Sequence, residues 1–232
     1  MSTVGPHGAP ADRQRATSAD SPGAIVLRAF ERAEYLEALA RMRAFNAARG
    51  PDTPDEVWLV EHPGVYTLGL ASRPEHLRAT GNIPVVQTER GGQVTYHGPG
   101  QVVAYVMLDL RRRGLSVRTL VHRIEQAAID ALAAAGVEAM RRAGAPGVYV
   151  CTPAAQPGAK IASIGIRVQR GCSFHGLAVN VAMDLEPFSR IDPCGYPGLA
   201  VTDLRTQTGS AKLADFAADL GARLCRHLEE AR

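Results

Sequence analysis

Apolar residues along this chain follow two rhythms in turn. In some stretches they alternate or run together, as in strands; in others they recur every three or four positions, as on a helix face. Ala24 to Phe30 is a short run with strand character. "AEYLEALARMRAFNAARG" then places Leu36, Leu39, Met42 and Phe45 at helical spacing and closes on Gly50, which predicts a first helix. After the loop "PDTPDE", the pieces "VWLVEH" and "PGVYTLG" read as extended, and "IPVVQTE" as a strand that enters a glycine-rich segment. "QVVAYVMLDL" is apolar at nearly every position, the mark of a strand covered on both faces. Ser116 is placed to cap a second helix with the stripe Leu120, Ile124, Ala128 and Leu132, ended by Gly136. "GVYVCT", "KIASIGIRV" and "CSFHGLAVNVAM" predict three further strands, the last two joined by a hairpin across "QRG". Leu213, Phe216, Leu220 and Leu224 share one side of a closing helix over Lys212 to Leu228. The order predicts an α+β fold, a mixed β-sheet with flanking helices.

Residues 1–22 lack either rhythm and read as a disordered N-terminal tail, with no apolar block of the secretory kind, ahead of a single domain over 23–232. An apolar content of 46% with 21% charged residues suits a soluble globular protein. No apolar run reaches the roughly 18 residues of a membrane span. A net charge of +3 is not the footprint of a nucleic-acid binder. Arg111-Arg112-Arg113 and Arg141-Arg142 read as a solvated face or as a landing patch for an acidic protein partner. Cys151, Cys172, Cys194 and Cys225 stand far apart with no C-x-x-C, which argues against a zinc framework or a disulfide scaffold. Free thiols in a reducing cytoplasm are the expectation, with no metal and no cofactor.

Three of the cysteines lie in strand or helix patterns and read as small buried hydrophobes. Cys194 differs. It sits in "RIDPCGYPG", where Asp192-Pro193-Cys194-Gly195 fits a type I turn with the thiol at the third corner, in the bridge region. A thiol on a rigid loop is a surface accident or a nucleophile. A cation ~4 Å from a thiolate attracts it by ~4 kcal/mol at an effective dielectric of about 20. Lys160, His97 and His175 are the candidate cations, and Asp192 opposes them if it faces the sulfur.

"RGGQVTYHGPGQ", Arg90 to Gln101, is dense in Gly and Pro between two strands, and Gly91-Gly92 lets the backbone approach a ligand. It lacks the lysine of a phosphate loop. In "KIASIGIRV", alternation puts Lys160 on one face with Ala162, Ile164, Ile166 and Val168, and Ser163 and Gly165 on the other. In "FHGLAVNV", His175 is either a hydrogen-bonded structural residue or part of a pocket.

Together with "EHPGVYTLG" and "DPCG", these strings resemble, in order and spacing, the lipoyl(octanoyl) transferase family over about residues 25–228. The family pattern departs at Asp192 and Ala182, where it carries Asn. The resemblance implies the catalytic-domain fold of biotin and lipoate ligases. It implies transfer of an octanoyl group from octanoyl-acyl carrier protein to a lysine of a lipoyl domain. The acceptors are those of 2-oxoacid dehydrogenase complexes or the glycine cleavage H protein. It assigns Cys194 as the acyl-thioester nucleophile and Lys160 as the cation that favours its thiolate and handles protons. Arg90, Gly91, Gly92, Gln93, Val94, Thr95, Tyr96 and His97 then line the acyl pocket. So do Ser163, Ile164, Gly165, Gly176, Leu177 and Ala178. The rival readings are an ATP-dependent ligase on the same fold, a cysteine amidohydrolase, and a non-catalytic fatty-acyl binding module.

Overall fold

The computed structural model describes residues 15–17, 23–151 and 158–230. Two sheets divide the strands. The larger runs β1 (Arg15–Thr17), β2 (Ile25–Ala29), β3 (Asp55–Val60), β7 (Gln101–Met107), β11 (Cys172–Asn180), β10 (Lys160–Gln169), β9 (Gly147–Val150) and β8 (Ala139–Met140) in spatial order. It is mixed: β2 and β3 are parallel, and the other neighbours antiparallel. The smaller sheet has β4 (Val65–Leu68) between β5 (Val85–Gln87) and β6 (Val94–His97). Of the segment read as a tail, Arg15–Thr17 pairs with β2, and the remainder lies outside the described residues.

β7 is buried at all seven positions. Val102, Ala104 and Val106 face a core built with α2 (Val117–Ala134), Leu204 of the short α3 (Leu204–Thr208), and α4 (Leu213–Glu229). Val103, Tyr105 and Met107 face a second core under α1 (Tyr35–Ala47). The continuous apolar run is thus a central strand sandwiched by helices, as its composition predicts. Ser116 caps α2 by accepting from the Thr119 N–H at 3.0 Å. Phe216, Leu220, Leu224 and Leu228 form the buried stripe of α4.

α1 turns its face differently from the expectation. Tyr35, Ala38, Leu39 and Met42 are buried, while Leu36 is 60% exposed. The true stripe follows i, i+3, i+4, i+7, which tracks one side of a helix; a strict step of three drifts off it. The β10–β11 hairpin turns on Arg170 and Gly171, both at positive φ (52° and 86°), the requirement of a two-residue type I′ turn. Part of the glycine-rich segment is regular structure: Val94–His97 pairs antiparallel with β4. Gly176 has no room for a side chain, since a Cβ would stand 1.9 Å from the Ala104 carbonyl oxygen on β7.

The Arg111–Arg113 cluster is not a free patch. Asp55, 2% exposed, accepts from Arg112 at 2.7 Å, Arg113 at 2.5 Å, Arg49 at 3.0 Å and the Asp109 N–H at 2.8 Å. The carboxylate gathers the end of α1, the start of β3 and the loop after β7. Asp55→Ala strands buried guanidinium groups without a counter-charge, so a loss of about 3–5 kcal/mol in urea unfolding is expected. A loss below about 1 kcal/mol would mean that water takes over the role of the carboxylate.

Candidate active site

Between the two sheets lies a cavity of about 340 Å³, within the ~300–1,000 Å³ range of small-molecule sites. One wall is the glycine-rich string with β6: Arg90, Gly91, Gly92, Gln93, Val94, Thr95 and His97. The other is β10 and β11, with Ser163, Ile164, Gly165, Gly176, Leu177 and Ala178. β9 pairs with β10 only as far as Ser163, leaving the edge beyond it unpaired by a strand. There the Gly91 N–H donates to the Ile166 carbonyl at 3.0 Å and closes the string over the cavity. Arg90, 7% exposed, anchors the string to β4 by donating to the Thr67 carbonyl at 2.6 Å and to its hydroxyl. Tyr96 is not part of the lining. Strand alternation points it to the other side of β6, against Tyr66 and Phe188.

Lys160 does not continue the apolar stripe of β10. A register shift between Lys160 and Ala162 breaks the alternation. Ala162, Ile164, Ile166 and Val168 pack against the core beneath the helices, with Ile164 and Ile166 also bordering the cavity, and Lys160 lies at the cavity with Ser163 and Gly165. Only 3% exposed, its ammonium donates to the Pro146 carbonyl at 3.0 Å and to the Cys194 sulfur at 2.9 Å. It also stands 5.3 Å from the centre of the Tyr149 ring. Gly147 makes this possible: a Cβ there would lie 2.6 Å from Lys160 Cε.

The sulfur is brought from 34 residues away by main-chain bonds. The Lys160 N–H donates to Ala200 O at 2.8 Å, and Thr202 N–H donates to Lys160 O at 3.0 Å. The segment after the cysteine turn is therefore zipped onto the start of β10. On the other side of the turn, the Asp192 N–H donates to His76 O at 2.9 Å. Cys194 adopts φ 57°, ψ 20°, a left-handed value suited to the third corner of a type II turn rather than the bridge region of type I. A left-handed non-glycine residue is costly and persists where its surroundings hold it. Asp192 does not oppose the sulfur unscreened, because its carboxylate is ion-paired with Arg78.

All four cysteines are half-buried, so exposure does not single out Cys194 and the other three are less buried than expected. Burial pushes the thiols of Cys151 and Cys172 up, and that of Cys225 to about 12. Cys194 is the one whose sulfur accepts from an ammonium. Among the described residues, no group of three His, Cys, Asp or Glu side chains is placed to hold a metal ion.

The histidines offered as alternative cations are buried and neutral. His97 engages Gln101 at 2.8 Å and Thr67 at 3.3 Å, and burial holds its pKa at about 3. His175 is likewise held at about 4. Tyr35, Tyr105 and Tyr149 also line the cavity and were invisible to motif reading. The one signal for Tyr149 was its neighbour Gly147, placed after "GAP" at the start of a strand.

An exposed imidazole titrates near ~6.5, so in the unfolded chain both histidines take up protons on acidification that the folded state refuses. Stability therefore falls as pH drops through 6.5, by up to ~1.4 kcal/mol per unit for each histidine. Urea unfolding of wild type and His97→Gln between pH 7 and 5 checks this. The variant should show the shallower decline; equal slopes would mean that His97 protonates as readily folded as unfolded.

Known proteins resemble most of the chain. The model of the lipoyl protein ligase A/B catalytic domain matches residues 34–224. An octanoyltransferase of Thiobacillus denitrificans is 61% identical over 181 residues, covering 78% of this chain and 80% of that one. An octanoyltransferase of Pseudomonas fluorescens is 53% identical over 210 residues, covering 90% and 95%. Among solved structures, the bipartite lipoate protein ligase of Thermoplasma acidophilum superposes with a TM-score of 0.71 at 15% identity, over 90% of this chain and 85% of that one. The biotin protein ligase of Aquifex aeolicus does so at 0.52 and 11%, over 88% and 70%. The two ligases speak for the fold alone, and they agree with the expected α+β architecture. With its catalytic-domain match and its curated relatives, the chain belongs to the lipoyl protein ligase A/B catalytic-domain family.

Proposed function

We propose that the protein is an octanoyltransferase that works through an acyl-thioester on Cys194. The observation that carries this is the 2.9 Å contact between the Lys160 ammonium and the Cys194 sulfur at the side of a deep cavity. The ammonium stabilises the thiolate, which is the nucleophilic form. The thiolate attacks the carbonyl of an octanoyl thioester. The carrier's sulfur leaves with a proton from Lys160, and the octanoyl group is then held on Cys194 as a new thioester. The neutral amine of the acceptor lysine attacks next, gives its surplus proton to Lys160, and leaves as an amide with the Cys194 thiolate restored. Each step exchanges one bond to the acyl carbon for another, and the thioester supplies the driving force without ATP.

Octanoyl-acyl carrier protein is the proposed donor. A lysine on the lipoyl domain of a 2-oxoacid dehydrogenase complex, or on the glycine cleavage H protein, is the proposed acceptor. The names of the curated relatives and the family description support this assignment. The reaction belongs in a cytoplasm that keeps the thiol reduced. An apolar lining of β10 and β11 side chains suits the tail, at ~0.8 kcal/mol per buried CH₂.

Mixing the protein with octanoyl-acyl carrier protein should add the mass of one octanoyl group, and Cys194→Ala should abolish that gain while leaving thermal melting intact. Lys160→Ala should slow transfer to a lipoyl domain by about 10²–10⁴-fold, the usual worth of a positioned proton donor and acceptor. Full transfer by Cys194→Ala in the presence of ATP and free octanoate would favour the ligase reading instead.

A further inference from the structure

The cavity has an open end and a closed end. Val117 and Tyr196, at 47% and 51% exposure, stand at the open end. Tyr35, Tyr105 and His175, at 3%, 3% and 2%, line the closed one. The reacting groups can be placed along this axis by strand register. The Lys160 Nζ lies 3.0 Å from the position of a Gly147 Cβ, and Gly147 pairs with Ser163. The ammonium therefore sits at the level of Ser163. His175 pairs with Ile166, further along β10. From Ser163 to Ile166 the strand advances about 10 Å at ~3.3 Å per residue.

His175 reaches the cavity by an irregularity. Neighbours on a strand point to opposite faces. Yet the rings of Phe174 and His175 stack, with centroids 4.9 Å apart and planes 24° from parallel. The cause is the backbone: His175 has φ 59°, a left-handed value inside β11. This puts its ring on the same side as that of Phe174, with the Tyr105 ring edge-on at 6.4 Å. The ring is wedged and cannot swing aside cheaply. Its Nε2 is buried and has no hydrogen-bond partner among the described residues.

We infer that His175, backed by Phe174 and Tyr105, is the stop that sets the acyl chain length at about eight carbons; the inference rests on the octanoyl-transfer reading and deepens it. An extended octanoyl chain spans about 9 Å from thioester carbon to methyl, at ~1.3 Å advance per C–C bond. It ends at the ring. A dodecanoyl chain runs to about 14 Å on the same measure and must push methylenes against an imidazole nitrogen that they cannot satisfy. The length filter is thus steric and polar at once.

The test is a competition. Wild type, His175→Gly and His175→Asn are each mixed with equimolar octanoyl- and dodecanoyl-acyl carrier protein, and the acyl adducts are counted by intact mass. Gly and Asn both tolerate the left-handed backbone, so the ring is removed without adding strain. Wild type should favour the shorter chain by on the order of 100-fold, within the range one methylene commands in a tight pocket. Both variants should lose most of that preference, by about tenfold or more. Adducts on the variants with the wild-type ratio would overturn the stop while leaving transfer standing. Loss of all loading in both variants with melting unchanged would also overturn it, since a stop sets length and does not perform chemistry. No adduct of either length on wild type would instead remove the transfer reading, and this inference with it.

Discussion

The main chain of Lys160 is bonded on both sides of its peptide unit to the segment that follows Cys194. Its N–H and C=O reach Ala200 and Thr202, and this short parallel pairing is the constraint on which the site depends. It registers the cysteine turn against a strand of the central sheet. A side-chain contact of 2.9 Å between flexible groups would otherwise cost rotamer entropy at both ends. Here the backbone carries that cost, and the bulge at Lys160 turns the ammonium toward the sulfur.

The surroundings of the pair are selective about charge. Lys160 is buried with a carbonyl, an aromatic face and a thiol for partners. Asp192, the nearest acid in sequence, is held by Arg78. Deeper in the cavity the imidazoles of His97 and His175 are kept uncharged by burial. A positive charge there would repel the ammonium and would be costly next to an acyl tail. The same chemistry explains why one histidine is fully bonded while the other has a ring nitrogen without a partner among the described residues: the first supports the wall, the second faces the space a substrate fills.

Asp55 limits the reading of Arg111–Arg113 as a docking site. Two of the three arginines in Arg111–Arg113 converge on that buried carboxylate, which also holds Arg49, just past the end of α1. Their charge serves the fold. Arg142, by contrast, is exposed and stacks at 4.4 Å on Tyr149, the same ring that the Lys160 ammonium faces.

Local pattern determined most of the elements. The run in β7, the Ser116 cap and the stripe of α4 each depend on residues within one element, and period and capping chemistry are local. The motif strings likewise carried the family and singled out Cys194 and Lys160, whose side chains meet at 2.9 Å. What the chain alone did not determine is which way side chains face when the backbone departs from regularity. The bulge at Lys160 and the left-handed His175 each redirect a face that alternation assigns, and the left-handed Cys194 changes the turn type that its neighbours suggest. Leu36 shows the same on α1, where the packing partner chose the stripe. Those departures are set by neighbours distant in sequence: Ala200 and Thr202 for Lys160, Tyr105 for His175, His76 for the cysteine turn. A strand's period is written in its own residues; an exception to it is stabilised by contacts that exist only once the sheet has formed.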